Sequence, residues 1–473
     1  MRRFAWLALL SLGVGLACAT NGTEFALLYN PAAQHHGPER NPIIAMPGIL
    51  GSKLLDRASG VVAWGAFEAG AADPGNPEGA RLIALPIDGS KDFAALRDDV
   101  EPNGVLERVR ISWLGVPLEI QAYAGILATL GAAGYRDEAL GLAGEVDYGS
   151  DHFTCFQFDY DWRRDNVENA RRLHEFILAK RAYVRREYLA RHGVDVPDIK
   201  FDIVAHSMGG LIARYFLMYG SQDVGEDSPP ELTWEGADLV EKLVTVGTPN
   251  AGSVEAFVQL VEGRKIGPLL PFYPPSLMGT FPSVYQLLPR ERHRAVLWEG
   301  APGEPVRVLD PSVWEAMEWG LASPKQAGVL EVLMPDVADP EERRSRAVAF
   351  QRRALARAGA FQRALDRPAR APDGLALYLV AGDADGTPAR LSVRKRDGRV
   401  SVASRAPGDG TVIRSSALLD EREGGEWGPR VVTPIDFDTV LFLPQDHLGL
   451  TSNAVFRDNV LFWLLEAPLR PAP

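Results

Sequence analysis

The chain has two cysteines in 473 residues, Cys18 and Cys155. No disulfide framework can be built from that pair, least of all if Cys18 lies in a leader that is removed or modified. Cys155 sits in the apolar run Phe153-Thr154-Cys155-Phe156-Gln157-Phe158, where a thiol is a small buried hydrophobe rather than a nucleophile. Histidine is sparse too: of the eight, none stands at metal-ligand spacing from another histidine or a cysteine. No metal site and no cofactor are therefore expected, and His35-His36 reads as part of a solvated lead-in. An excess of positive charge is also missing. Lys+Arg 50 against Asp+Glu 62 gives −12, which argues against nucleic acid as a partner. Nor is there an apolar run long enough to span a bilayer, for which about 20 residues are needed. The one candidate, Phe4 to Leu16 behind Met1-Arg2-Arg3, has the charged and apolar regions of a secretory signal. Cleavage after Ala19 would make residues 1–19 the leader. Alternatively, Val14-Gly15-Leu16-Ala17-Cys18 resembles a bacterial lipobox, with a leader of residues 1–17 and a lipid on Cys18. Either way the expectation is an exported protein, secreted or held at the cell envelope.

What is present centres on Phe201-Asp202-Ile203-Val204-Ala205-His206-Ser207-Met208-Gly209-Gly210. An apolar run enters small residues and continues as the helix-like Leu211 to Met218, so the stretch reads as a strand turning sharply into a helix with Ser207 at the turn. Such an elbow exposes a serine Oγ, and the amide that follows, here of Met208, points at the oxyanion formed on attack. Only small residues fit beside the turn, which accounts for Ala205 and Gly209. Earlier, Asn41 to Ser52 is a short apolar run opening into Pro47-Gly48. Gly48 lets the backbone turn an amide toward a pocket, and the N–H of Ile49 is the candidate second oxyanion donor.

Strand and helix patterns alternate from 43 to 253, which argues for a parallel sheet wound with right-handed crossovers. The first part of this α/β core spans 41–253. Within it, residues 60–115 show no usable periodicity and read as an irregular insertion, and Tyr123 to Gly134 is helical. Asp159-Tyr160-Asp161-Trp162-Arg163 follows a strand, where open α/β sheets place their sites; an ion pair between Asp161 and Arg163 is the plainer reading. A long helix covers about Glu168 to His192, and His174 and His192 on it have no role. Leu239 to Ser253 repeats the strand-then-glycine pattern. Residues 254–370 are Pro-rich and aromatic, then strongly basic between Glu341 and Arg367, and read as a cap or lid. The basic helix there presents either a solvated face, the preferred reading, or a contact with a membrane surface. The sheet resumes over 371–473.

A serine becomes nucleophilic when a histidine takes its proton and a carboxylate holds that imidazole in one tautomer. His447 follows the strand-like Val440 to Leu443. His293, in Glu291-Arg292-His293-Arg294, reads as exposed. Two Asp-Gly-Thr turns offer the acid, at Asp385 and Asp409. Asp409 is preferred because a helix start follows its turn, whereas Asp385 runs into Pro388 and strand-like residues.

Taken in order, Pro47-Gly48-Ile49-Leu50-Gly51-Ser52, Tyr160-Asp161-Trp162-Arg163, Ala205-His206-Ser207-Met208-Gly209-Gly210, Gly247-Thr248-Pro249, Phe281-Pro282-Ser283 with Gln286-Leu287-Leu288-Pro289, Gly408-Asp409-Gly410-Thr411-Val412 and Asp446-His447 resemble the lecithin:cholesterol acyltransferase family across roughly residues 43 to 465. The resemblance implies an α/β-hydrolase fold: a mostly parallel sheet with helices on both faces, an early insertion that binds membrane, and a cap after the sixth strand. It implies a triad on Ser207, Asp409 and His447, oxyanion amides on Ile49 and Met208, and an acyl-enzyme formed from a phospholipid or similar lipid ester. The acyl group would pass to water or an alcohol. The chain departs from the family in Ala205 and in having no cysteine pair to bound a lid. The rival reading is a catalytically silent lipid-binding surface protein on the same fold.

Overall fold

Two strands whose every residue is buried, β1 (Ile43–Met46) and β3 (Phe201–His206), lie side by side in the middle of the molecule. Because successive strand residues face opposite ways, Ile44, Met46, Ile203 and Ala205 enter one apolar core, and Ile43, Ala45 and Val204 enter another. A sheet covered on both faces needs an unbroken apolar run rather than alternation. The computed structural model describes residues 24–67, 70–88, 90–106, 108–113, 116–121, 123–149, 152–225, 228–265 and 271–468; Cys18 and Ala19, on which the expected leader turns, lie outside them. The central sheet is completed by β2 (Cys155–Gln157), β4 (Val240–Val246), β5 (Ala376–Gly382) and β6 (Thr439–Leu443). Its six strands run in the order β6-β5-β4-β3-β1-β2, all parallel. No helix among the described residues is long and apolar enough to cross a membrane.

Helix α1 (Asn166–His192) begins where Asp165 accepts the Val167 N–H at 3.1 Å and ends at Gly193, whose φ of 68° an L side chain would strain. Its buried stripe, Val167, Ala170, Leu173, Ile177, Val184 and Tyr188, packs in the same core as α2 (Met208–Tyr219). The opposite face of the sheet is covered by the helix Ala124–Ala132 and by α4 (Ala454–Leu465), where Trp463 stacks on Tyr378 of β5 at 4.7 Å. The expected α/β architecture with helices on both faces is present.

Two expectations need correcting. Residues 60–115 are not irregular: the strand Val62–Trp64 pairs with Ser52–Asp56, which also pairs with Val100–Val105, and a further small sheet and the helix Pro77–Ile83 fill the rest. These strands are too short to show a period. The long insertion leaves the sheet where residues 254–370 were expected to, directly after β4, and in this sheet β4 is the fourth strand in chain order. Its boundary at 370 is also not a structural one, because strands Val296–Trp298 and Ala301–Pro305 share a sheet with Asp385–Val393 and Val400–Gly408.

Three aromatic residues of that insertion pack on one another. Trp314 and Trp319 lie 5.7 Å apart, and both meet Phe257, at 5.6 and 5.1 Å; each such pair is worth about 0.5–1.5 kcal/mol beyond its burial. The basic helix α3 (Pro340–Leu365) keeps Arg344 and Arg363 on a solvated face, but it also packs on α2: Phe361 stacks on Tyr215 at 5.7 Å, and Tyr219 donates to the Ala364 carbonyl at 2.8 Å. Arg357 turns inward to Asp165 at 2.6 Å, and Arg353 reaches Asp92.

At the N-terminal end of β3, Asp202 is buried with its Oδ1 accepting from Asn41 at 3.1 Å and the Lys242 ammonium 3.7 Å away. Burial raises its pKa to about 7 against the opposing pull of Lys242. A folded pKa above the unfolded one means that the fold holds a proton the unfolded chain releases, so this group's contribution to stability falls as pH rises from about 4 to 7. Asp202→Asn, neutral throughout, should therefore gain on the parent in melting temperature by about 2 °C or more on going from pH 5 to pH 8. An equal difference at both pH values would show the carboxylate ionised in the fold throughout.

Candidate active site

Three connections at the C-terminal edge of the sheet meet at Ser207. The serine caps α2 with φ 51° and ψ −123°, a conformation costly for a side chain other than glycine, and its N–H is held by the Val246 carbonyl at 2.7 Å. The turn is feasible because its neighbours lack side chains. A Cβ on Gly209 would collide with the Pro47 carbonyl oxygen and one on Gly210 with Thr248, while one on Gly48 would stand 2.7 Å from the Ser207 Cβ. Both glycines after the serine are thus explained: the elbow is wedged between the loop after β1 and the Gly247-Thr248-Pro249 loop after β4.

His447 lies four residues beyond β6. Its Nε2 is 3.0 Å from the Ser207 Oγ and its Nδ1 is 2.8 Å from Asp409 Oδ2. The backbone repeats the link, His447 N–H donating to the Asp409 carbonyl at 2.9 Å. Asp409 Oδ1 accepts the N–H groups of Thr411 and Val412, at 2.9 and 2.7 Å. Burial opposes ionisation of this carboxyl, but His447 and those two amides outweigh it and hold the pKa below the usual carboxylate range. An ionised Asp409 accepts from Nδ1–H, which leaves Nε2 free to take a proton from Ser207. Space for the imidazole comes from Gly247, where a Cβ would stand 3.1 Å from the ring.

The other candidates fall elsewhere. Asp385 opens the strand Asp385–Val393, is exposed, and makes no contact with His447. His293 is buried rather than exposed, at 7 %, and is bonded to Glu421 at 3.1 Å; its arginine-rich surroundings mislead because Arg290 and Arg292 are both paired with Asp366. Asp161 and Arg163 form a fully buried ion pair at 2.8 Å that supports the loop rather than facing Ser207. No group of three or more histidine, cysteine, aspartate or glutamate residues among those described could hold a metal ion.

The loop carrying Ile49 is tied down along its length. Tyr160 donates to the Pro47 carbonyl at 2.9 Å and Trp162 to the Ser52 carbonyl at 3.2 Å. Leu50 takes φ 65°, and the Trp64 indole holds its carbonyl at 2.8 Å. Trp64 was invisible as a site residue in the sequence, since its partner is a backbone atom and its segment lacks a pattern. The N–H groups of Ile49 and Met208 have no acceptor among the described residues, so both are available to an incoming oxyanion.

A six-stranded parallel sheet flanked by helices, with a serine at a strand-to-helix elbow, defines an α/β-hydrolase fold. The lecithin:cholesterol acyltransferase family model matches residues 144–314, a stretch that holds the elbow but neither Asp409 nor His447, and the match supports an enzyme that hydrolyses or transfers the acyl group of a lipid ester. No curated protein matches the chain. Among solved structures, that of the Tle4-Tli4 complex is similar at 15 % identity, over 90 % of this chain and 98 % of that one, with a TM-score of 0.51. The mature lipase BlEst2 of Bacillus licheniformis (12 % identity, 91 % and 94 % covered, TM-score 0.31) and lipase 1 from Pelosinus fermentans (12 %, 91 % and 99 %, 0.33) are also found.

The glycine wedge gives a test. Gly209→Ala places a methyl against backbone, so the loop at Pro47 or the elbow must move, and displacements of about 1 Å at such sites cost about 100-fold in rate. Esterase activity should fall by at least that much with the circular dichroism spectrum retained. Gly131→Ala, on an exposed helical position with open space around the new methyl, should leave activity unchanged. Equal activity in the two variants would show that the close approach is not needed.

Proposed function

We propose that the protein is a serine-dependent lipid esterase and acyltransferase in which Ser207, His447 and Asp409 act as a catalytic triad. The observation that carries this reading is the position of His447, within hydrogen-bond distance of both Ser207 and Asp409, which lie 202 residues apart in sequence. Ser207 Oγ attacks the acyl carbonyl of a phospholipid or similar ester while its proton moves to His447 Nε2. The carbonyl oxygen becomes an oxyanion received by the Ile49 and Met208 amides. Collapse expels the alcohol portion, which leaves with the proton from His447, and the acyl group remains on Ser207. Water or a second alcohol then gives its proton to His447 and takes the acyl group, restoring the serine.

Two observations bear on the acceptor. Phe257, Tyr285, Trp314 and Trp319 of the 254–370 segment are engaged with one another, and no determinant for a particular alcohol accompanies them. Hydrolysis is therefore the expected outcome in dilute assay.

Ser207→Ala should abolish esterase activity with the fold intact. Asp409→Asn should cost about 10⁴-fold through loss of the correct imidazole tautomer, whereas Asp385→Asn should stay near the parent. Turnover of a short-chain p-nitrophenyl ester measures all three. Activity of Ser207→Ala within about tenfold of the parent would remove the triad, and a reversed ranking of the aspartates would move the acid to Asp385.

A further inference from the structure

The residue before the nucleophile is a buried histidine that the mechanism above does not use. His206 is 1 % exposed, and its ring lies 4.6 Å from that of His447. Its Nε2 is 2.9 Å from the backbone carbonyl oxygen of His447, and its Nδ1 is 3.1 Å from the hydroxyl of Tyr123. That hydroxyl also receives the Gly48 N–H at 2.8 Å. A carbonyl can only accept, so Nε2 carries the hydrogen. In a neutral imidazole Nδ1 is then the acceptor, and Tyr123 donates to it while accepting from Gly48. The chain of bonds runs one way, Gly48 N–H to Tyr123 O–H to His206, and His206 N–H to the His447 carbonyl.

This direction requires His206 to be neutral. A proton on Nδ1 would face the tyrosine hydrogen, and the resulting charge would stand beside His447, the catalytic ring under the triad reading. The surroundings enforce neutrality: burial, and then the His447 ring alongside, lower the His206 pKa to about 3 against the opposing pull of the His447 carbonyl and Asp409. Tyr123 is likewise buried and holds its proton well above the ordinary range. Its ring also fills the space at Gly51, where a Cβ would stand 2.7 Å from it.

We infer that His206 and Tyr123 are positioning residues: one hydrogen-bonded strut that sets the distance between the oxyanion loop at Gly48-Ile49 and the backbone of His447. The inference rests on the triad reading and extends it to two residues that touch no reacting atom. Without the strut, two loops joined to different strands, β1 and β6, would lose their shared reference, and the oxyanion amide and the general base would each be free to drift by a fraction of an ångström. Ground-state binding of an ester depends little on that register, whereas the transition state depends on it strongly.

The test is the turnover of p-nitrophenyl butyrate by the full chain and by Tyr123→Phe, His206→Ala, His206→Gln and the double variant Tyr123→Phe/His206→Ala, with melting temperatures recorded alongside. Tyr123→Phe and His206→Ala should each lower kcat by about 10- to 100-fold with KM within about threefold of the parent. Residues acting as one unit give non-additive losses, so the double variant should fall no more than about threefold below the worse single variant. His206→Gln, whose amide keeps an N–H for the His447 carbonyl and an oxygen for Tyr123, should regain part of what His206→Ala loses. A Tyr123→Phe variant with kcat within about threefold of the parent, or losses that multiply in the double variant, would overturn the inference. A fluorophosphonate separates the two levels. Labelling of Ser207 in the parent together with an unaffected Tyr123→Phe removes the strut alone, whereas a parent that is not labelled removes the triad reading and the strut with it.

Discussion

The site depends on how closely the backbone at Pro47-Gly48 approaches the elbow at Ser207-Gly210. Gly48 and Gly209 permit that approach, and a side chain at either would push the Pro47-Gly48 loop off Ser207. The approach must also be held, since a loop free to retreat would lose the geometry that its glycines allow. Tyr160, Trp162 and Trp64 supply the restraint, each donating to a carbonyl between Pro47 and Ser52. Tyr160 and Trp162 are positioned in turn by the buried Asp161–Arg163 pair between and beside them. Removing one member of such a pair costs about 3–5 kcal/mol because the other is left buried and uncompensated. Its importance lies less in net stability than in permitting one arrangement of that segment.

The long segment between β4 and β5 belongs to the same support. Ser283 donates to the Trp162 carbonyl at 2.6 Å, and Gln286 bonds Asp165 at the start of α1. The Phe281-Pro282-Ser283 and Gln286-Leu287-Leu288-Pro289 pieces thus act as braces behind the Tyr160–Arg163 segment. From there the segment continues into α3, which lies against the elbow helix. What composition suggests is a lid is, over these residues, part of the wall that keeps α2 in place.

Legibility in the sequence followed the range of the interactions. The elbow, the strand before it and the helix after it could be read because small residues at fixed spacing encode them locally. His447 could be read from the strand before it, and Asp409 from the helix start after its turn. Trp64, Tyr123 and His206 could not be assigned roles, since their partners are backbone atoms or side chains 14 to 241 residues distant. His293 was misjudged for a related reason: a cluster of arginines looks solvated until the carboxylates that pair with them, Asp366 and Glu421, are brought from elsewhere in the chain. The strands between 52 and 105 escaped notice because strands of three to six residues do not establish a period.

The central claim is that a covalent acyl group passes through Ser207. Mixing the protein with excess p-nitrophenyl ester, quenching in acid within the first turnover and mapping the digest by mass spectrometry tests it directly. The account predicts an added acyl mass on the peptide containing Ser207, formed at the rate of the p-nitrophenol burst. Ester hydrolysis at full rate with that peptide unmodified at every quench time, or the acyl mass on another residue, would contradict it.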